Sequence, residues 1–269
     1  MFANIPIRRG DRIVAETPLL WIRTGVSLDL FDENAFVSAG DRSGAATIMH
    51  LRDQLSDQQK VLFDSLCFQE RSAADLNREK GSRRDPLTNA EWTCLSRFQT
   101  NCFNILEGQE SQEEKKTYVV FEKISRINHS CKPNAAWQWH PTLQQGVVQA
   151  LQPIPKGTDI TINYCATLDD TLKSRVDRRA HLRDNWGFDC NCSVCKSGPI
   201  ADQQRQQARD SHRQLLDLQR GLEESRRNGT DEGTCAQVHQ PQRRILRLFD
   251  DVCTRFKGLG ILDQGLSEM

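Results

Sequence analysis

No stretch of this chain approaches the roughly 20 apolar residues that a membrane-spanning helix requires, because charge interrupts its hydrophobic runs every few residues. Net charge is lacking too. The 36 Lys and Arg balance the 36 Asp and Glu, so no overall field draws the molecule to nucleic acid, to an anionic membrane or to an acidic partner. No secretion signal is expected, since Met1-Phe2-Ala3-Asn4-Ile5-Pro6 shows no basic region followed by a long apolar run. The ten cysteines therefore read as thiols of an intracellular, reducing setting, nucleus or cytoplasm, and not as a secreted disulfide scaffold. With 269 residues the chain can bury one substantial core plus a smaller appendage without covalent staples.

What is present changes period along the chain. Arg12-Ile13-Val14-Ala15 and Leu19-Leu20-Trp21-Ile22, divided by Pro18, predict two short strands. Ile48, Leu51 and Leu55 then fall at helical spacing. Ser56 with Gln59 and Thr88 with Glu91 predict capping boxes, the second opening a helix that carries Trp92, Leu95, Phe98 and Cys102. The polar run Arg71 to Arg84 reads as a loop. Strand character returns in 117–121, 135–139 and 146–151. After a turn at Pro153 to Gly157, Ile160, Ile162 and Tyr164 alternate with polar residues and line one face of a further strand. Beyond Cys195, Leu215, Leu218 and Leu222 form one helical stripe, and Ile245, Leu248, Phe249, Val252 and Phe256 form another. Residues 228–234 are the expected linker between the helices of this pair.

Cys190, Cys192 and Cys195 lie inside six residues, a spacing that core packing does not explain. Three thiolates so close suit one soft tetrahedral ion, zinc, whose structural sites are closed by four protein ligands. Cys131, Cys165 and His181 are the candidates for the fourth. The competing account, a disulfide plus a spare thiol, is the weaker one without a secretion signal. A nucleic-acid-binding zinc knuckle lacks the surrounding basic and aromatic density it needs.

Between two strands stands Asn128-His129-Ser130-Cys131-Lys132-Pro133-Asn134, and the strand that follows the turn reads Gly157-Thr158-Asp159-Ile160-Thr161-Ile162-Asn163-Tyr164. The first segment resembles the Asn-His-Ser-Cys-x-Pro-Asn motif of the SET-domain family of S-adenosylmethionine-dependent protein lysine methyltransferases. The second resembles that family's Gly-x-x-Ile-x-x-x-Tyr motif, and Cys190-x-Cys192-x-x-Cys195 its post-SET zinc module. The three motifs stand in family order, and the resemblance covers about residues 1–196. The branch most similar is the SET-and-MYND one with its fungal-type relatives, although no MYND finger is visible.

The resemblance implies an α+β SET fold: short β-sheets around a knotted core with a helical insert, a post-SET zinc module and a C-terminal helix pair. It divides the chain into a SET domain at 1–165 with the insert at about 42–115, a post-SET segment at 166–197 and a partial helical region at 198–269. By the same resemblance Tyr164 is the catalytic residue, Asn128, His129, Asn101 and Phe188 contact S-adenosylmethionine, and Cys131 joins Cys190, Cys192 and Cys195 on zinc. The expected partner is a protein presenting a lysine, histones and chromatin among the candidates, with no membrane and no direct nucleic-acid contact. The family opens on a Gly-x-Gly turn ahead of a Phe-Ala pair. Here the chain begins Met1-Phe2-Ala3, so those glycines are expected to be cut off and not replaced. A catalytically silent SET scaffold is the alternative that this implies.

Overall fold

The computed structural model describes residues 1–23, 42–69, 87–107, 115–165, 167–227 and 235–259. The expected loop at Arg71 to Arg84 and the linker at 228–234 lie outside the described residues. The architecture is mixed, with helices and short antiparallel sheets. Two compact units make it up. The first comprises Met1–Asn128, Trp137–Ile160 and Arg183–Phe188, and the second His129–Ala136, Thr161–Leu182 and Asp189–Met269. Among the described residues no helix is long and apolar enough to cross a membrane.

In the first unit, β1 (Arg12–Glu16) and β2 (Leu20–Arg23) are separated as the proline between them demands. Strand β1 pairs antiparallel with β7 (Gln145–Ala150), which also neighbours β6 (Ala135–His140). A second sheet runs in the order β2, β4, β3, with β4 (Lys115–Val120) in the centre. Strand β3, Cys102–Glu107, departs from the expected helical insert: helix α3 (Asn89–Asn101) stops at Asn101, and Cys102 turns to extended backbone at φ −80°, ψ 151°. Phe103 and Ile105 then follow a period of two against Val119 and Thr117.

Helices α1 (Arg42–Asp53), α2 (Asp57–Asp64) and α3 belong to the same unit as that sheet. Both expected capping boxes are present, Ser56 with Gln59 on α2 and Thr88 with Glu91 on α3. Ile48, Phe63, Leu95 and Phe98, with Leu20, Ile22, Tyr118 and Val120, form one apolar core. On the other side of β3, Phe103 packs on Phe121 and Trp137 with ring centroids 5.6 and 4.9 Å apart.

Short β5 (Asn128–His129) and β8 (Thr161–Ile162) pair. The strand expected through Tyr164 is thus only two residues long. Four helices follow: α4 (Leu168–Thr171), α5 (Arg175–Trp186), α6 (Ser193–Lys196) and α7 (Pro199–Arg227). Helix α8 (Cys235–Leu259) packs on α7 through Ala208, Leu215, Val252, Phe256 and Leu259, with Leu172 in the same cluster, as the two leucine-rich stripes require. Phe249, expected in the second stripe, lies at its edge and is 37% exposed.

Candidate functional site

The segment from His129 to Asn134 is pinned to the strand beside it by backbone and side-chain bonds. Ser130 N–H donates to the Ile162 carbonyl at 2.9 Å, and Thr161 N–H donates to Asn134 Oδ1 at 2.8 Å. An asparagine accepting from the backbone in this way fixes the loop as a strand pair would, without requiring the regular ladder. Two residues beyond the strand, Tyr164 N–H donates to His129 Nδ1 at 3.0 Å.

That bond decides the imidazole's tautomer. A backbone N–H can only donate, so Nδ1 is the accepting nitrogen and the ring proton sits on Nε2. Nε2 is 3.3 Å from Cys131 Sγ, where an N–H facing a sulfur donates to it. Burial holds His129 neutral by lowering its pKa to about 4. The rings of His129 and Tyr164 lie 5.3 Å apart at a tilt of 55°. One imidazole therefore ties the sulfur of Cys131 to the backbone of the tyrosine.

Cys131 Sγ in turn lies 4.0 Å from Cys190 Sγ and 3.7 Å from Cys195 Sγ. With Cys192, the four sulfurs all lie within 4.8 Å of one another, and three of the four residues are buried. Of the three candidates for the missing position, Cys131 is the one in the cluster. Cys165 is buried elsewhere, its thiol pushed up to about 11 by that burial.

The donor set fits zinc. A regular tetrahedron with metal–sulfur bonds near 2.3 Å has sulfur–sulfur edges of about 3.8 Å, the spacing seen between Cys131 and its two neighbours. Hydrogen bonds from the surrounding thiols, that of Cys131 foremost, hold Cys192 well below the ordinary thiol range. Sharing with Cys190 and the others pushes Cys131 well above it. One thiolate is thus easily accommodated, while four at this spacing need a cation among them.

Two residues at this site escaped the sequence reading. Arg178 Nη2 reaches Cys195 Sγ at 3.8 Å, and Arg205 Nη2 donates to the Cys131 carbonyl at 3.3 Å. Both were legible in principle. Arg205 stands three residues before buried Ala208 and ten before buried Leu215, in register with the apolar stripe of α7, and Arg178 stands four before buried Leu182.

The remaining expected site residues belong to the first unit. Asn128 is exposed and donates through Nδ2 to Asp159 Oδ2 at 3.1 Å. Asn101 is buried, and its amide donates to the carbonyls of Cys67 and Arg97 at 2.7 and 2.6 Å. Phe188 is half-buried, next to Gly187, whose φ of 75° ends α5.

Comparison with known proteins adds a family. A profile described as the SET domain matches residues 1–165. Histone-lysine N-methyltransferase set5 of Schizosaccharomyces pombe is 39% identical over 88 residues, 31% of this chain and 26% of that protein. A SET and MYND domain-containing protein of Dictyostelium discoideum is 44% identical over 71 residues, 26% of this chain and 19% of that one. Human N-lysine methyltransferase SMYD2 is 31% identical over 100 residues, 36% and 21% of the respective chains. The chain thus spans about a quarter or less of the length of these curated relatives.

Proposed function

The chain belongs to the SET-domain family, and from that premise we propose that it is a protein-lysine N-methyltransferase that takes its methyl group from S-adenosylmethionine. The observation that carries this reading is the single imidazole of His129, bonded at Nδ1 to Tyr164 N–H and set at Nε2 against Cys131 of the four-cysteine cluster. The motif that bears the catalytic tyrosine, the motif that bears the histidine and the cysteine module meet there.

S-adenosylmethionine supplies, when bound, a methyl group activated by its sulfonium. The protein's own task is to present a neutral lysine amine in line with it. A free lysine, with a pKa near 10.4, is neutral in only about one molecule in a thousand at pH 7, and burial beside positive charge raises that fraction. Tyr164, whose phenol ordinarily titrates near 10, serves as a neutral hydrogen-bonding group that orients the amine, and not as an ionised base. Fixed orientation is itself a large part of a transfer rate, and the bond from Tyr164 N–H to His129 fixes the tyrosine's backbone.

Asn128 and Phe188 suit the cofactor in kind, an exposed amide and a half-buried aromatic face. His129 meets it through its backbone, since both ring nitrogens are engaged within the protein. Asn101 suits it less, because its amide already braces Cys67 and Arg97. Zinc at Cys131, Cys190, Cys192 and Cys195 holds this loop in place as a structural ion. The substrate is a protein lysine. Histones are first among the candidates, because set5 is named a histone-lysine N-methyltransferase. The free thiols suit a reducing compartment, nucleus or cytoplasm.

The test is transfer of labelled methyl from S-adenosylmethionine to core histones and to a lysine-bearing cell extract. Tyr164→Phe is expected to lower the rate by about a hundredfold or more, with zinc content and cofactor binding kept. Labelling unchanged in Tyr164→Phe removes the tyrosine from the chemistry. No heat of binding at millimolar cofactor leaves a metal-binding scaffold instead of an enzyme.

A further inference from the structure

The second unit buries two arginines almost completely, Arg178 at 1% exposure and Arg205 at 0%. A guanidinium keeps its charge at any physiological pH, and a buried charge left unpaired costs several kcal/mol by order of magnitude. Each of these side chains needs negative charge nearby. Hydrogen bonds to neutral carbonyls satisfy part of their geometry: Arg178 donates to the Lys173 carbonyl, and Arg205 to those of Thr171 and Cys131. They do not satisfy charge, and among the described residues the Nε atoms of both are buried without a hydrogen-bond partner. Asp202, 26% exposed and 3.9 Å from Arg178 Nη1, also accepts the Arg175 backbone N–H, so it answers only one of the two at long range.

Among the described residues a second source of negative charge is sulfur. Cys195 Sγ is 3.8 Å from Arg178 Nη2, and the Arg205 guanidinium is bonded to the backbone of Cys131. A divalent ion held by four thiolates carries two net negative charges, and two guanidiniums supply two positive ones.

We propose that Arg178 and Arg205 are positioning residues that neutralise the tetrathiolate metal centre in the second unit. This rests on the zinc reading given above. It makes α7, which carries Arg205, a part of the metal centre. The alternative is that the two arginines act only as donors bracing three carbonyl oxygens, and it predicts a different ranking of substitutions.

The experiment uses the full chain loaded with zinc. It reads metal content by atomic emission, zinc affinity by competition with a chromophoric chelator, and the rate of zinc release by N-ethylmaleimide. Arg178→Gln and Arg205→Gln keep N–H donors without charge, whereas Arg178→Lys and Arg205→Lys keep the charge without the fork. The Gln variants are expected to lose roughly 10- to 100-fold in zinc affinity, as second-shell changes do. They should also release zinc faster, because thiolates relieved of a neighbouring cation are more basic and more nucleophilic. The Lys variants are expected to recover most of both. In a Cys195→His background, which removes one thiolate charge, the cost of Arg178→Gln should shrink, a non-additivity that a purely bracing role does not produce.

Gln variants that hold zinc as tightly as the unaltered chain and release it no faster overturn the proposal. So do Lys variants as weak as the Gln ones. A Gln variant that fails to fold where its Lys counterpart folds and binds supports it. An unaltered chain that folds but contains no zinc sinks the metal reading itself, which is a distinguishable outcome.

Discussion

At Gly146 the first unit leaves no room for a side chain. A Cβ there would stand 2.5 Å from Phe121 Cζ and 2.9 Å from Ile124 Cδ1, and both residues are fully buried. Rings packed on that scale cannot yield by an ångström without moving their neighbours. Gly146→Ala is expected to cost about 1–3 kcal/mol, read as a lowered urea midpoint with an unchanged slope. A second residue-scale prediction concerns Asp64, which accepts from Arg52 Nε at 2.9 Å and lies 3.6 Å from Arg97 Nη1. The Arg52 guanidinium foremost holds its carboxyl below the usual range. A depressed carboxylate stabilises the fold above its unfolded pKa, and the gain is lost as pH falls through its folded value. The pair is partly exposed, so Asp64→Asn is expected to cost only about 0.5–1 kcal/mol at pH 7. That difference should shrink below about pH 4 in parallel urea titrations of the two proteins.

Elements differ in how much of their stability is local. Helix α3 starts on a complete capping box, with Glu91 N–H donating to Thr88 Oγ1 at 3.2 Å and Thr88 N–H to Glu91 Oε2 at 2.8 Å. Thr88→Ala is expected to cost about 1 kcal/mol. The α7–α8 pair depends on its seam. Leu215→Ala there is expected to cost about 2–5 kcal/mol, and both changes can be read by thermal or urea unfolding. This contrast also governs what the sequence disclosed. Capping boxes and leucine stripes are local patterns, so both boxes and the helix pair were readable, as were most of the strands. Strand β3 was not, because Cys102 sits at helical spacing from Phe98 and only pairing with β4 reveals the switch of period. Strand β8 was overextended for a related reason: the alternation runs on to Tyr164, but the tyrosine's N–H turns to an imidazole instead of a neighbouring strand. The three clustered cysteines announced a metal from spacing alone. The fourth, 59 residues before Cys190, could be nominated only by likeness to a family. The two buried arginines carried a signal, a charge in apolar register, that composition and motif reading pass over.

Across the whole molecule the chain passes between its two units at 128/129, 136/137, 160/161, 182/183 and 188/189. The second unit is therefore assembled from three separated pieces of chain, and closing such loops costs conformational entropy that local structure does not return. Among the described residues, one apolar cluster of this unit is the α7–α8 seam with Leu172, and His129 and Cys131 are not part of that cluster. The segment bearing them is joined to the rest of the unit by hydrogen bonds to Thr161, Ile162 and Tyr164 and by the cluster of four sulfurs. A metal that binds the folded and not the unfolded form stabilises by mass action, about 2.7 kcal/mol at 100 times its Kd. Removing zinc with a chelator is therefore expected to speed amide exchange by about a hundredfold at Ser130, Thr161 and Tyr164, whose N–H groups close the loop. The amides of β2, β4 and β3 are expected to keep their protection, since their sheet is covered by a core that contains none of the four cysteines. Equal loss in both sets would make the chain one cooperative unit. Unchanged exchange at Tyr164 would mean that the cysteine centre does not hold the tyrosine, and the link through His129 would then be a contact without consequence.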